Sequence, residues 1–448
     1  MIVCKFGGSS CANSFQFKKV KAIVESEEQR KVVVVSAPGK YRGKDFKITD
    51  TLYLCYQLSR EQLDFSEIFE EIADRYRAIH KDLNLSSDLE KELSLIREKL
   101  DAGAGKDYVL SRGEYLNAML MAEFLGYEFV DAKDLIVFDA KKKYDQAASY
   151  KLMRKFADLK LGSIKGVVVP GFYGATSKGE IITFPRGGSD ITGAILAAGL
   201  KTDLYENWTD VAGFLVADPK IVDNPETISS LSYVELRELS YSDSQIIQAD
   251  AIAATREAEI PIQIKNTNYP DDSGTIIYSG KKITNGQLVT GIAGQKNFSV
   301  IHLKKYGKNE DYGLMRKICT IFEAHQITIH HMPTSLDTIS VIFQIDDKKE
   351  LKQIVEQINL YCRPDQSSYE QDMALITVVG ESMAYQPGIA GKIFSALGST
   401  GVNIRMIAQG SSEYNIIIGI ESYQYSLAIQ TLYDHFFKIK KDDKAQFQ

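Results

Sequence analysis

Two short glycine-containing stretches carry the residue types that phosphate chemistry needs. Lys5-Phe6-Gly7-Gly8-Ser9-Ser10 stands where an apolar segment ends and a helical pattern begins. Paired glycines let backbone N–H groups approach an anion closely, a following helix N-terminus favours negative charge, and a lysine there can lie against phosphate oxygens. Phe184-Pro185-Arg186-Gly187-Gly188-Ser189-Asp190 repeats the arrangement before a second helix, adding a guanidinium and a carboxylate. Arginine suits bidentate capture of a carboxylate, whereas lysine acts as a point charge on phosphate. Taken singly, the first stretch equally describes a strand-to-helix turn with a solvated lysine, and Asp190 a helix cap. No Walker A spacing and no GxGxxG after a strand occurs. Asn207-Trp208-Thr209-Asp210-Val211-Ala212-Gly213 and Ala217-Asp218-Pro219-Lys220 follow a further strand, at the end where α/β sheets place ligands. Two anion sites with one lysine and one arginine describe a small-molecule phosphotransferase better than a hydrolase. Phosphoryl transfer asks for positioning and charge neutralisation, and no nucleophile from the protein.

These residues need a scaffold of alternating strands and helices, and the first 280 or so residues read that way. Strands are expected at Ile2 to Phe6, Lys31 to Ser36, Val167 to Val169, Asp203 to Tyr205 and Ile262 to Ile264. The unbroken VVVV of the second marks a strand buried on both faces of a parallel sheet. Helical patterns cover Phe15 to Val24, Asp50 to Leu58, Glu67 to Leu83, Asp88 to Leu100, Glu114 to Leu125 and Ile191 to Ala198. From about Thr290 a β-α-β-β-α order appears twice, with a period of about 75 residues. Its strands are expected at Ser299 to Leu303, Ile327 to Ile329, Ser340 to Ile345, Ala374 to Val379, Val402 to Ile407 and Asn415 to Ile420. The intervening helices are Leu314 to Ala324, Lys349 to Asn359, Ile389 to Leu397 and Tyr425 to Tyr433. Each copy has the split βαβ pattern of a ferredoxin-like unit. A duplicated module after an α/β domain is either an appended sensor or a ligand-free structural domain.

Composition narrows the field. The 448 residues are 44% hydrophobic and 25% charged, the balance of a globular protein of two to four domains. With 53 Lys plus Arg against 59 Asp plus Glu, the net charge of −6 disfavours nucleic-acid and anionic-membrane partners. The longest aliphatic run, Val32 to Val35, is far too short to span a bilayer, and MIVCKFGG does not read as a secretory signal, so a cytoplasmic location is expected. Five scattered cysteines without CxxC spacing make a disulfide framework or a Cys-rich zinc site unexpected.

The ordered set of motifs resembles the aspartokinases of the amino-acid kinase family. Lys5 to Ser10 is similar to that family's opening K-F-G-G-[ST]-S, and Ser36-Ala37-Pro38 to its second strand end. Ser111-Arg112-Gly113-Glu114, Arg186 to Asp190, Thr209-Asp210-Val211 and Asp218-Pro219-Lys220 follow in order. The duplicated tail resembles the family's tandem ACT domains, its second copy carrying Pro387-Gly388-Ile389-Ala390 and Val402-Asn403-Ile404. The resemblance implies an amino-acid-kinase-like, mostly parallel sheet sandwiched by helices, followed by two ferredoxin-like (βαββαβ) ACT modules. Expected boundaries are 1–288 for the catalytic domain, 289–370 for the first module and 371–448 for the second, with the first strand of the tail completing the second module.

It further implies ATP-dependent phosphorylation of the L-aspartate β-carboxylate, with Mg²⁺ arriving on the nucleotide. Lys5 would stabilise the transferring phosphoryl group, Gly7, Gly8 and Ser9 would contact phosphates through their backbone, and Asp190 would organise the catalytic lysine. Arg186 would pair with the substrate α-carboxylate and Glu114 with its α-ammonium, Thr49 and Ser189 completing the substrate site. Thr209, Asp210, Lys220 and Lys265 would line the nucleotide site, although a slightly later alignment of the last lysine falls on Asn268. Position 220 is Lys where relatives often have Arg, and Leu215 stands where an aromatic is common. A dead kinase domain serving as an amino-acid-binding regulator is the alternative from another class, disfavoured because Lys5, Arg186 and Asp190 are all present. No room for a reductase domain is expected after the second module.

The ACT pair implies an amino-acid effector, lysine being favoured and threonine second. The loop Asn309-Glu310-Asp311-Tyr312-Gly313-Leu314 and the strand end at His330, His331, Thr334 and Ser335 would form its pocket. Asp311 would hold the effector ammonium and the backbone near Gly313 its carboxylate. His330 stands where lysine-sensing relatives carry an acidic residue. The adjacent His330 and His331 also admit a metal or a packing reading, but no third ligand stands at suitable spacing. A homodimer, or a dimer of dimers, through the ACT domains is expected.

Overall fold

Burial of an unbroken aliphatic strand organises the N-terminal part of the chain. The computed structural model describes residues 1–40, 46–185, 187–240, 247, 252–278, 288–308 and 311–438. These form two compact units. The first comprises Met1–Phe214, Thr227–Leu236 and Gln245–Lys281; the second comprises Leu215–Glu226, Arg237–Ser244 and Lys282–Gln448. The segments Leu215–Glu226 and Arg237–Ser244 thus group with the C-terminal unit, although in sequence they fall within 1–288.

In the first unit, β1 (Ile2–Phe6), β2 (Arg30–Val35), β3 (Glu128–Phe129), β4 (Val167–Pro170), β5 (Leu204–Thr209), β6 (Ser230–Ser232), β7 (Ile262–Asn266) and β8 (Thr275–Tyr278) make one sheet of order β3-β4-β2-β1-β5-β7-β8-β6. Every pairing is parallel except β7 with β8. The chain leaves β1 for β2 on one side, and β5 lies on the other. The C-terminal ends of β1 and β5 therefore diverge, and this is where an open parallel sheet leaves a crevice. Around it pack α1 (Ser14–Glu25), α2 (Ile48–Arg60), α3 (Ser66–Asp82), α4 (Leu89–Asp101), α5 (Lys106–Leu125), α6 (Gln146–Phe156) and α7 (Gly188–Leu200). Their starts follow capping rules: Asn13, Asp88 and Asp145 each accept a hydrogen bond from the backbone N–H three residues on. Gly126, at φ +65°, ends α5 in the left-handed conformation that glycine tolerates.

The helix expected from Glu114 begins two turns earlier, at Lys106. The segment Lys106–Gly113 reads poorly as a core helix because it holds Ser111, Arg112 and Gly113, yet all three are buried. Burial of Arg112 is offset locally. Its guanidinium lies 4.6, 4.4 and 5.4 Å from the ring centres of Tyr108, Tyr115 and Tyr173, and it donates to the Ser111 hydroxyl. Glu114 is consequently a mid-helix interior residue rather than a solvated acid at a helix start.

The second unit holds an antiparallel sheet of order β10-β11-β9-β12-β14-β13, built from β9 (Gly291–Lys304), β10 (Ile329–His331), β11 (Thr338–Gln344), β12 (Gln366–Val379), β13 (Met406–Gln409) and β14 (Asn415–Glu421). The central strands β9 and β12 run 14 residues each and pair along both halves, with register shifts between Gln295 and Phe298 and between Phe298 and Val300. Neither length was apparent in the sequence, because the shifts interrupt the inside–outside alternation. The two repeats are therefore interleaved through shared strands. The strand expected over Val402 to Ile407 forms only from Met406. On one face, α8 (Leu314–Ala324) and α9 (Lys348–Cys362) cover Ile301, Leu303, Ile339, Val341 and Phe343. Two further helices, α10 (Ile389–Ser399) and α11 (Tyr425–Tyr433), belong to the second repeat. No helix among the described residues is long and apolar enough to cross a membrane.

Candidate active site

Lys5 sits on β1, the second-last buried position before the chain turns away at Gly7, and is itself 7% exposed. Its Nζ lies 2.6 Å from Oδ1 of Asp190 in the first turn of α7. The opposed carboxylate thus gives the buried lysine a partner in place of water. The glycines before Asp190 are required sterically. Gly187 adopts φ +77°, and a Cβ on Gly188 would come within 2.5 Å of the Phe172 ring. One on Gly171 would meet the Ser189 hydroxyl at 2.6 Å, so Ser189 is buried against that backbone. Arg186 lies outside the described residues, as do Asn309 and Glu310 of the effector loop.

The glycine loop after β1 is tied to both neighbours. Gly7 donates its N–H to the Trp208 carbonyl at 3.0 Å. That N–H is thereby withdrawn from the phosphate contact expected of it, because β5 continues the ladder one residue past β1. Gly8 accepts from the Gly39 N–H at 2.8 Å and from the Cys11 N–H at 3.2 Å, closing a short 3₁₀ turn over Ser9–Cys11. Arg75 pins the surrounding loops by donating to the carbonyls of Ala12, Gly39 and Phe46. Thr209 ends β5 and Asp210 follows it. The Thr209 carbonyl accepts from the Thr267 N–H, and the Ser10 hydroxyl meets that of Thr267 at 2.7 Å. Ser9, Ser10, Gln16, Lys40, Asp210 and Asn268 line a concavity of about 180 Å³ there.

On the other side of the glycine loop, Gly113 lets α5 approach so closely that a Cβ would lie 2.8 Å from Ala37 Cβ and 3.2 Å from Ile48. The Ala37 N–H hydrogen-bonds Glu114, whose Oε2 is buried and has no hydrogen-bond partner among the described residues. Burial pushes its carboxyl up to about 8, against the lowering effect of the Ala37 hydrogen bond and Arg112. The Ala37 carbonyl in turn lies where a Cβ on Gly8 would be 3.0 Å away, so the Glu114 anchor and the phosphate loop share one residue. Thr49 is half-buried in the first turn of α2, beside Ile48.

Not every expected residue joins this cluster. Lys265 pairs in register with Trp208 and holds its Nζ 5.0 Å from that ring, on the sheet face opposite Lys5. Lys220 belongs to the second unit, where its N–H is capped by Asp218. Within that unit the Asp311 carboxylate is already paired with Lys305 at 2.7 Å and Lys317 at 3.5 Å. Its hydrogen bond from Lys305 holds it below the usual carboxylate range. An effector ammonium at Asp311, as the resemblance implied, would have to displace these lysines. Gly313 precedes α8, and a Cβ there would meet only side-chain atoms at 3.7 Å or more. His330 packs edge-on against Phe298, and burial lowers its basicity. Ser335 donates its N–H to Thr338 and accepts at its carbonyl from Lys308.

Sequence reasoning gave no role to Asn207, Arg75, Asn117 or Arg112. Asn207 accepts from Lys5 Nζ at 3.4 Å and donates to Asp190 at 2.9 Å, while Asn117 donates to the Ser36 carbonyl. Each acts across more than 15 residues of sequence, Arg112 apart, and no local motif marks such a contact.

Comparison with known proteins agrees with this geometry. The amino acid kinase family model matches residues 1–266, and an ACT domain model matches residues 376–436. Aspartokinase 3 of Bacillus subtilis is 38% identical over 453 residues, covering 98% of this chain and 99% of its own. The crystal structure of Clostridium acetobutylicum aspartate kinase superposes with a TM-score of 0.91 at 45% identity, over 97% of this chain and 99% of that one. E. coli aspartokinase III, solved with lysine and aspartate and separately with aspartate and ADP, shares the fold at 22% identity. Its TM-scores are 0.78 and 0.73, over 98% of this chain and 99% and 100% of those chains.

Proposed function

The chain belongs to the aspartokinases of the amino acid kinase family, and from that premise we propose that it transfers the γ-phosphoryl group of MgATP to the β-carboxylate of L-aspartate, giving 4-phospho-L-aspartate and ADP. The observation that carries the substrate assignment is Glu114. It presents a buried carboxyl oxygen without a partner among the described residues, one residue removed from the phosphate loop. An ionised α-ammonium supplies the charge and donors that such an oxygen lacks. Ser189 and Thr49 complete the substrate side, and Arg186 takes the α-carboxylate. The acceptor is itself an anion, so bringing it to a phosphate requires neutralisation. Lys5 provides this at the end of β1, with Asp190 fixing where its ammonium stands. Gly8 and Ser9 hold the phosphates, and Thr209 and Asp210, at the end of β5 beside them, serve the nucleotide.

The small concavity offers one carboxylate, Asp210, with the hydroxyls of Ser9 and Ser10, and Lys40 in the same lining, so Mg²⁺ would come held by the nucleotide phosphates, with Asp210 the residue that would face it. The ion would supply charge neutralisation on the phosphates. Feedback by lysine through the second unit, with threonine as the alternative, and association of two copies through that unit belong to the same reading; the structure of E. coli aspartokinase III in complex with lysine and aspartate supports lysine as the effector. A cytoplasmic location belongs to the same reading.

ADP release with MgATP is expected with L-aspartate and not with L-glutamate, and to be suppressed by added lysine. Turnover with glutamate alone, or with neither acid, would overturn the assignment.

A further inference from the structure

We propose that Asn207 is a positioning residue that clamps Lys5 and Asp190 to each other and to the sheet, an inference that rests on the phosphotransferase reading above. Asn207 is 2% exposed in β5, where its Cα pairs in register with Lys5 of β1. Its Oδ1 accepts from Lys5 Nζ at 3.4 Å and its Nδ2 donates to Asp190 Oδ1 at 2.9 Å, while Lys5 and Asp190 meet at 2.6 Å. The three side chains close a ring. The amide orientation follows from chemistry, since an ammonium only donates and a carboxylate only accepts; the flipped amide would face like against like at both ends.

A buried asparagine in a central strand needs a reason. The residue type is disfavoured in strands, and its carboxamide loses its water on burial. Neighbouring side chains of β5 show what a purely structural polar residue looks like here. Glu206, on the opposite face, is held by Arg30 at 2.8 and 3.0 Å and by Trp208 Nε1 at 2.8 Å. That network fixes the strand and uses no residue of the glycine loop. Asn207 instead directs both of its hydrogen bonds to the two charged groups at the crevice. The functional consequence concerns what happens when Lys5 engages a phosphoryl oxygen. With an apolar residue at 207, Asp190 would be the sole anchor of the ammonium, and any motion of Lys5 toward phosphate would release both groups. With the carboxamide in place, Asp190 keeps its donor and Lys5 keeps a neutral acceptor that does not compete with phosphate charge.

The test uses the full-length protein and two near-isosteric replacements. Asn207→Leu removes both hydrogen bonds. It is expected to lower kcat by about 10- to 100-fold, the order associated with mispositioning of a catalytic group, with the KM values for ATP and aspartate little changed. Asn207→Asp replaces the amide by an acid whose protonated form alone can donate to Asp190 while accepting from Lys5. Its kcat should therefore fall as pH rises through a new ionisation, which neither wild type nor Asn207→Leu shows. Competitive acetylation of Lys5 without substrates, read by mass spectrometry, reports the clamp independently of turnover, and Asn207→Leu should label faster at Lys5 than wild type. If Asn207→Leu fails to fold, Asn207→Ser, which cannot span both partners, takes its place in each measurement. Wild-type kcat in the substituted proteins, a loss confined to KM, or an Asn207→Asp profile that overlays wild type would overturn the proposal, as would unchanged Lys5 labelling. A wild-type protein without aspartate-dependent turnover would refute the enzymatic reading instead, and Lys5 labelling would still decide the clamp.

Discussion

Glu114 shows how one buried charge can set the pH response of an enzyme. With its carboxyl pushed up to about 8, the empty site holds the acid form at neutral pH, and an incoming ammonium must displace that proton. The KM for aspartate should therefore fall as pH rises toward 8 and level off above it. Glu114→Gln should flatten this dependence and raise KM by about 10- to 100-fold, the scale of a lost hydrogen bond to a charged group; ADP-release kinetics across pH 6–9 check both. Stability runs the other way. A pKa raised on folding contributes stability that is complete below the unfolded value and lost as pH climbs through the folded one. Thermal unfolding should consequently show Glu114→Gln gaining on wild type between pH 6 and 8.5. The residue itself was legible, through its place in Ser111-Arg112-Gly113-Glu114, but its environment was not. Burial of Glu114 depends on Ala37 and Gly113, which lie on different elements. The same holds for Asn207, whose partner Lys5 is 202 positions away. Lys5 and the paired glycines could be read because their signal is local.

At the level of elements, glycines decide how closely the site's loops approach. A Cβ on Gly39 would lie 2.7 Å from the carbonyl carbon of Gly8 and 2.9 Å from the Ser9 nitrogen, backbone atoms that cannot rotate aside. Gly39→Ala should displace the phosphate loop, costing about 1–3 kcal/mol of stability and raising the KM for ATP. Gly398 is the control, because it sits within α10 with nothing within 4 Å of a Cβ. Gly398→Ala should leave kinetics unchanged and raise stability by about 0.5–1 kcal/mol. Differential scanning calorimetry with ATP titrations separates the two; equal behaviour would contradict the steric account. Most helices and strands of both units were legible from periodicity to within a few residues. The helix α6 and the short strands β3, β6 and β8 were not anticipated, and two further departures have physical causes: α5 begins with buried polar residues held by an aromatic cage, and β9 and β12 lose their alternation at register shifts.

Across the whole molecule, duplication in the tail was legible as a repeated element order, and the resemblance already implied that the tail's first strand completes the second repeat; pairing of β9 with β12 along both halves is the form that sharing takes. Such interleaving joins the two repeats in one six-stranded sheet. Feedback by an amino acid then has a thermodynamic requirement that needs no knowledge of the route between sites. If lysine lowers the affinity for aspartate by a given factor, aspartate must lower the affinity for lysine by the same factor. Calorimetric titration of lysine into the full-length protein, alone and with saturating aspartate plus a non-hydrolysable ATP analogue, measures one factor; aspartate titrations with and without lysine measure the other. Equal factors are expected, typically about 5- to 150-fold for coupling of 1–3 kcal/mol. The Asp311 pairing with Lys305 and Lys317 adds a direction to this. Effector binding that uses Asp311 must first break those ion pairs, so Asp311→Asn should leave lysine affinity nearly unchanged if the pairs persist in the bound state. A large loss of lysine binding in Asp311→Asn would show instead that the carboxylate changes partners when the effector arrives. Threonine binding with no response to lysine would move the effector assignment while leaving the reciprocity test intact.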